Sequence, residues 1–167
     1  MKRIALLIFL SIASLALSQT NTIQIINFTP NNIQFRLAGR GNQLVMDCQP
    51  LITAQGYTTL NSGQSVTYTQ YNTAQLVNPP IYTWDVIAEA VGGTSYTANP
   101  STGNIIPAFV SNVSRWGVLD IISPAGDYYR LEKACEVPGG VFSTPPGATV
   151  TASWSELGGN VLVVITP

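Results

Sequence analysis

The feature that most constrains the fold is a succession of short runs of β-branched and aromatic residues separated by turn-forming residues. Gly and Pro recur about every eight to twelve positions, and no window of useful length has the 3.6-residue apolar period of a helix. The run at 33–37 alternates cleanly, with Ile33, Phe35 and Leu37 on one face. This pattern predicts an all-β fold: an antiparallel β-sandwich of about eight to ten short strands, with a flattened β-barrel as the second choice.

Specific segments indicate how such a sandwich would be built. The strongest strand is predicted at 81–91, where Trp84 is the expected central aromatic residue of the core. Strands predicted at 115–122 and 127–134 flank a Ser-Pro-Ala-Gly turn, which indicates a hairpin. The last run, 161–167, is apolar on both faces, so we expect it at the centre of a sheet or covered on both sides.

The first eighteen residues have the three-part composition of a secretory signal peptide. Two basic residues precede an apolar stretch, and Ala16 and Ser18 supply the small residues of a cleavage site. That stretch is short for a membrane-spanning helix, and no later run is longer and as apolar; a retained anchor is the alternative. We predict a signal peptide at 1–18 and a single secreted β-sandwich domain at 19–167, in the periplasm or outside the cell.

The chain contains two cysteines, Cys48 and Cys135. In an oxidising compartment, two cysteines most often pair with each other. A catalytic cysteine needs a base, usually His, which the chain lacks, and a zinc site needs about four suitably spaced ligands. We therefore predict a structural disulfide that closes a loop of 87 residues and contributes about 4 to 5 kcal/mol in the chain-entropy model.

Charged residues make up only 9% of the chain, so its polar surface must consist largely of Thr, Ser, Asn and Gln. Without the signal peptide it has five basic and eight acidic residues, which argues against binding nucleic acid or anionic membranes. The lack of His removes the Ser-His-Asp and Cys-His designs and most zinc chemistry. We predict no enzymatic activity, cofactor or metal, and an uncharged polar surface suits neutral ligands such as sugars.

Two groups of carboxylates are candidates for chemical sites, and both favour a structural interpretation. Asp85 and Glu89 lie about 13 Å apart by strand rise, which is too wide for a glycosidase pair, so we expect exposed, solubilising side chains. Asp120, Asp127 and Glu132 surround one hairpin and could offer oxygen ligands to calcium. They lack the Asp-x-Asp spacing of a calcium-binding loop, so we expect no metal there.

The candidates for a sugar-binding face are five aromatic residues: Tyr68, Tyr71, Trp116, Tyr128 and Tyr129. Tyr68 and Tyr71 fall on opposite faces of the strand predicted at 65–71, so at least one of them should be exposed. The adjacent Tyr128 and Tyr129 must also point in opposite directions. An exposed ring can stack on a sugar while polar side chains bind its hydroxyls. At an ordinary 9% of the chain, most aromatic residues are nevertheless expected in the core.

Two Asn-x-Ser/Thr sequons, at Asn27 and Asn112, would accept N-linked glycans if the source organism modifies exported proteins in this way. Pro30 directly follows the first sequon and makes it a poor acceptor.

These observations favour a secreted, non-catalytic β-sandwich module that binds or adheres at the cell exterior, with a glycan or a surface partner as its ligand. One alternative is a structural protein that self-associates through uncharged edge strands. Another is a small exported toxin or pore former, for which 149–167 is the nearest candidate for membrane hairpins.

Overall fold

The computed structural model describes residues 21–41, 48–88, 94–133 and 140–167. The strands of these segments form two sheets packed around one hydrophobic core, which confirms the predicted all-β sandwich; they do not close into a barrel. The predicted signal peptide at 1–18 and two residues discussed above, Glu89 and Cys135, lie outside the described residues.

The described strands are, in chain order, β1 (Ile23–Asn27), β2 (Ile33–Gly41), β3 (Leu51–Ala54), β4 (Thr58–Leu60), β5 (Ser65–Tyr68), β6 (Trp84–Ile87), β7 (Ser95–Ala98), β8 (Ser114–Ile122), β9 (Tyr128–Lys133), β10 (Gly140–Val141), β11 (Thr151–Leu157) and β12 (Asn160–Thr166). They number twelve, more than predicted. The excess arises because strands as short as β10, with two residues, leave no alternating pattern in the sequence.

The smaller sheet has four strands in the order β11-β12-β1-β5. The larger sheet has eight, in the order β10-β9-β8-β2-β3-β6-β7, with β4 also paired to β2. Among the described strand pairs, only β1 and β12 run parallel. In the smaller sheet β12 lies between β11 and β1, so it is an inner strand, as its apolar sequence predicts.

The predicted hairpin around the Ser-Pro-Ala-Gly turn is confirmed. β8 and β9 pair antiparallel, with Ile122 opposite Tyr128. The Ser123 amide donates to the Asp127 carbonyl at 2.9 Å, and the Gly126 amide donates to the Ser123 carbonyl at 2.9 Å. Gly126 has a φ of 91°, a left-handed conformation that favours glycine, which explains the residue at this position.

The described helical segments are short: 3-10 helices at Tyr71–Leu76 and Pro100–Thr102, and an α-helix, α1, at Ala108–Ser111. The strand predicted at 65–71 is therefore wrong at its end, because β5 stops at Tyr68 and the chain turns into the first 3-10 helix. None of the helices in the described segments is long and apolar enough to cross a membrane.

A cluster of aromatic rings fills the space between the sheets near the 3-10 helix at Tyr71–Leu76. Trp84 is fully buried, which confirms its predicted central position. Its indole nitrogen donates to the Tyr71 carbonyl at 3.1 Å, and its ring centroid lies 5.4 Å from that of Tyr71 and 6.1 Å from that of Trp116. Each such ring buries about 150 to 250 Å², so the cluster is a major part of the hydrophobic stabilisation.

Cys48 follows a segment that the structure does not describe and has a φ of 63°. The Gly41 amide donates to the Cys48 carbonyl and to the Pro50 carbonyl, both at 2.8 Å. A Cβ atom at Gly41 would lie 1.9 Å from the Gln49 carbonyl oxygen, so glycine is required for this approach. Because Cys135 lies outside the described residues, its disulfide with Cys48 stays a prediction.

Candidate functional site

An open cleft of about 620 Å³ lies where the starts of β1 and β8 meet the first 3-10 helix and α1. We call it the amide cleft, after the Asn and Gln residues in its wall. Its lining residues are Asn21, Thr22, Thr69, Gln70, Tyr71, Asn72, Ile105, Ile106, Ala108, Ser111, Asn112 and Arg115.

Asn72 holds two walls of the amide cleft together. Its side-chain nitrogen donates to the Ile106 carbonyl at 2.8 Å, and its side-chain oxygen accepts from the Ile106 amide at 2.9 Å. The Ile106 side chain is fully buried, whereas its neighbour Ile105 is 56% exposed. The paired hydrogen bonds therefore fix the 3-10 helix against the 105–107 segment and leave Ile105 as an apolar part of the surface.

Asn21 fixes the wall formed by the start of β1. Its side-chain nitrogen donates to the Ser114 carbonyl at 3.1 Å, and its side-chain oxygen accepts from the Trp116 amide at 3.3 Å. The Trp116 indole nitrogen donates to the Asn21 carbonyl at 2.9 Å. The Asn21 side-chain amide thus makes the hydrogen bonds with the start of β8 that the backbone of a neighbouring strand would otherwise make.

Arg115 is the one charged residue among the described lining residues of the amide cleft. Its guanidinium donates from Nη1 to the carbonyls of Asn112 and Ser114, at 3.1 and 2.9 Å. These contacts with the chain at the start of β8 hold the guanidinium at the wall of the cleft.

Tyr71 forms the floor of the amide cleft with a small part of its surface, since the residue is 2% exposed. Its hydroxyl lies near Asn21 but makes no hydrogen bond of normal geometry with the described residues. Burial raises the pKa of Tyr71 well above its ordinary value, and the opposing effects of Asn21 and Arg115 are smaller. The phenol therefore stays neutral at physiological pH. Its ring is part of the hydrophobic core and also forms the floor of the amide cleft.

The described lining residues include no carboxylate, thiol or imidazole. General acid–base catalysis needs a group that titrates near the working pH, and nucleophilic catalysis needs an activated nucleophile. The amide cleft instead offers side-chain amides and hydroxyls, each able to donate and accept hydrogen bonds, and the Arg115 guanidinium as a donor, beside apolar surface from Ile105 and Ala108. This arrangement can bind a polar, uncharged molecule.

The aromatic residues predicted to form a sugar-binding face do not come together on the surface. Tyr68, Tyr71 and Trp116 are at most 2% exposed, so the prediction of stacking surfaces is wrong for these three. Tyr68 and Tyr71 are both buried because the chain leaves the strand between them, which cancels the alternation expected of β5. The Tyr68 hydroxyl donates to the Pro79 carbonyl at 2.6 Å, and burial raises its pKa.

Tyr128 and Tyr129 lie on β9 and do not line the amide cleft. Tyr128 is 52% exposed, and its hydroxyl donates to Asp120 at 2.6 Å. The Tyr129 hydroxyl accepts from the Thr149 amide at 3.0 Å. Both side chains have structural contacts, and a role for them in ligand binding stays a prediction.

Asp120 is the buried centre of an ion-pair network on the outer face of the larger sheet, and its arginine partners are partly exposed. It lies opposite Arg36 of β2 and Arg130 of β9, and its carboxylate accepts from both at 2.7 Å. Burial alone would raise the pKa of Asp120, but hydrogen bonds from Arg130, Tyr128 and Arg36 outweigh it and lower the pKa. The carboxylate oxygens are therefore committed to protein donors.

Asp85, Asp127 and Glu132 also have protein partners. Asp85 is exposed and accepts from Gln55 at 2.8 Å, and Asp127 accepts from Thr149 at 2.8 Å. Glu132 is 3.3 Å from the Arg40 guanidinium. Across the described segments, no three His, Cys, Asp or Glu residues are grouped so that they could hold a metal ion.

Of the residues that line the amide cleft, sequence reasoning named only Tyr71, as a sugar-stacking candidate, and Asn112, as a sequon, and it did not bring the two together. The abundance of Asn, Gln and Thr indicated an uncharged polar surface, but abundance gives no position. Asn21, Asn72 and Ser111 are separated by long stretches of sequence and meet because β1, the 3-10 helix and α1 converge.

Comparison with protein-family models, with curated proteins and with solved structures finds no match to this chain.

Proposed function

We propose that this chain is an exported, non-catalytic binding module whose amide cleft holds an uncharged, hydroxyl-rich ligand such as a glycan. The observation that carries the proposal is the lining of the cleft, in which side-chain amides, hydroxyls and the Arg115 guanidinium lie beside an apolar surface of similar extent. A sugar presents the complementary surface, with hydroxyls around its edge and an apolar face.

Thr69 and Gln70 are the side chains best placed to contact a ligand directly. Both are exposed in the wall of the amide cleft, and neither side chain hydrogen-bonds to the described part of the protein. Their donors and acceptors are hydrated, so a ligand exchanges water for protein without breaking structural contacts. Asn21 and Asn72 act differently: they position the walls through hydrogen bonds to the backbone.

A glycan array probed with the wild-type protein and with a Thr69→Ala/Gln70→Ala double variant tests this function. We expect binding to one class of neutral glycan, reduced about tenfold or more by the double variant, since it removes two polar side chains. Thr67→Ala is the matched control, because Thr67 is exposed on β5 but does not line the cleft. Equal binding by all three proteins, or binding by none, would reject the cleft as a glycan site.

Self-association is a second candidate, favoured by β5. This strand, Ser65–Tyr68, is at the edge of the smaller sheet and contains no charged residue that would oppose pairing with another strand. We expect a Thr67→Lys variant to abolish any oligomer that forms through this edge, whereas a Thr59→Lys variant on β4 leaves it intact. Size-exclusion chromatography with light scattering measures the oligomeric state of both variants and of the wild type. A monomeric wild-type protein would rule out self-association as the function.

A further inference from the structure

The two sequons have opposite structural settings. Asn27 is fully buried, whereas Asn112 is exposed directly after α1. N-linked modification needs a free side-chain amide that reaches solvent, because the attached sugar is too large to be buried. The structure therefore separates two sites that the sequence presents as similar.

The Asn27 side chain is occupied in the folded protein. Its nitrogen donates to the carbonyls of Asn31, Leu60 and Asn61, at distances of 2.9 to 3.2 Å. Its oxygen accepts from the amide of Thr29 at 3.0 Å and from the hydroxyl of Thr29 at 2.8 Å. A chain carrying a sugar on this amide could not form these contacts, so the folded population is unmodified at Asn27.

The Asn112 side chain has no structural role that modification would disturb. Its backbone amide donates to the Ala108 carbonyl at 2.9 Å and its carbonyl accepts from Arg115, but its side chain makes no hydrogen bond with the described residues. The hydroxyl of Ser114 completes the sequon and is buried, donating to the Val110 carbonyl at 2.9 Å.

Two exposed apolar side chains, Phe109 and Val113, flank Asn112, and we call them the apolar ledge. Phe109 is 74% exposed and Val113 is 45% exposed. Phe109 lies three positions before Asn112, and Asn112 keeps right-handed helical backbone angles, so the two share a side of the helical turn. The first sugars attached to Asn112 would pack on the apolar ledge, which accounts for an uncovered aromatic ring there.

We infer that Asn112, which lines the amide cleft, is an N-glycan acceptor and that its glycan covers the apolar ledge. In the reaction, the Asn112 side-chain nitrogen loses a proton to a base of the transferase and bonds to C1 of a lipid-linked oligosaccharide. The bond from that carbon to the phosphate oxygen breaks, and the lipid pyrophosphate leaves. This inference depends on the predicted export of the chain but not on ligand binding by the cleft.

The test is secretion of the full chain from a eukaryotic cell, with a C-terminal tag that carries its own Asn-Gly-Thr sequon. The tag reports entry into the secretory pathway independently. Peptide-N-glycosidase treatment followed by peptide mass spectrometry identifies each modified asparagine. We expect modification of the tag and of Asn112, with Asn27 unmodified in the secreted, folded protein.

Asn112→Gln should remove one glycan and leave the circular dichroism spectrum unchanged, and Ser114→Thr should keep the glycan. The glycosylated wild type should also bind less of a hydrophobic dye such as ANS than Asn112→Gln, because the sugar covers the apolar ledge. A modified tag beside an unmodified Asn112, a modified Asn27, or equal dye binding would overturn the inference. An unmodified tag would show that the chain is not exported, which removes its premise.

Discussion

The ring of Tyr71 lies directly over the backbone of Gly39. A Cβ atom at Gly39 would fall 1.9 Å from the Tyr71 hydroxyl oxygen and 2.6 Å from the ring carbon that bears it. Gly39 is opposite Trp116 on β8, at a point where the register of β2 against β8 shifts, and the Tyr71 and Trp116 ring centroids are 4.5 Å apart. The missing side chain therefore makes room for the ring that forms the floor of the amide cleft.

Gly39→Ala should destabilise the protein by about 3 kcal/mol, because overpacking forces Tyr71 out of its site or shifts β2. Gly56→Ala is the matched control, since a Cβ atom there meets nothing within 4 Å. Chemical denaturation followed by tryptophan fluorescence measures both free energies of unfolding. Similar stabilities for the two variants would show that the contact between Gly39 and Tyr71 is not tight.

The ion-pair network around Asp120 should make stability depend on acid. The folded state lowers the pKa of Asp120, so its contribution is fully present above the unfolded value of about 4 and is lost as pH falls through the folded pKa. Asp120→Asn should therefore lower the free energy of unfolding at pH 7 by about 2 kcal/mol and flatten its decline at lower pH. Urea titrations between pH 7 and pH 2 measure both effects; parallel curves for the two proteins would contradict this role.

Asn27→Asp should destabilise the protein by about 2 to 4 kcal/mol at neutral pH. The substitution replaces a donor to three carbonyls with a carboxylate, which leaves buried acceptors facing a buried charge. Asn32→Asp is the control, because Asn32 is exposed and its side-chain oxygen only accepts, from the Ser62 amide at 3.1 Å. Thermal unfolding monitored by circular dichroism compares them, and an equal shift in Tm for both would reject the special role of Asn27.

The predicted disulfide should be present in the secreted protein. Proteolysis without reduction should yield a peptide pair joined through Cys48 and Cys135, and a Cys48→Ser/Cys135→Ser variant should lose about 2 to 4 kcal/mol of stability. Mass spectrometry that finds both thiols alkylated without prior reduction would show that the disulfide does not form.

The alternating strands and the turn chemistry of the sequence were sufficient to predict the sandwich. Trp84, the hairpin of β8 and β9, and the central position of β12 follow from local patterns that the tertiary structure preserves. Tyr71 shows where this reasoning fails: strand alternation assigned it to the face opposite Tyr68, but the chain enters a 3-10 helix and buries both. Sequence alone does not show where an alternation stops when no Gly or Pro marks the end.

The amide cleft could not be predicted for a different reason. Asn72 and Ile106 are joined by two side-chain hydrogen bonds across 34 positions, and Asn21 binds the backbone of Trp116 across 95. Such contacts depend on how the ends of the sandwich are closed, which the period-two pattern of the strands does not encode. The composition predicts only that amides and hydroxyls dominate the cleft, and it does not predict that Arg115 lies in its wall.

The most direct test of the proposed function is a nitrogen-15 NMR titration of the folded protein with neutral cello-, malto-, chito- and manno-oligosaccharides. The account predicts saturable shifts of the backbone amide signals of Gln70, Asn72, Ile106 and Ser111 with at least one series, and no shifts on the β8–β9 hairpin. Shifts confined to Tyr128 and Tyr129, or no saturable shifts with any series, would contradict it.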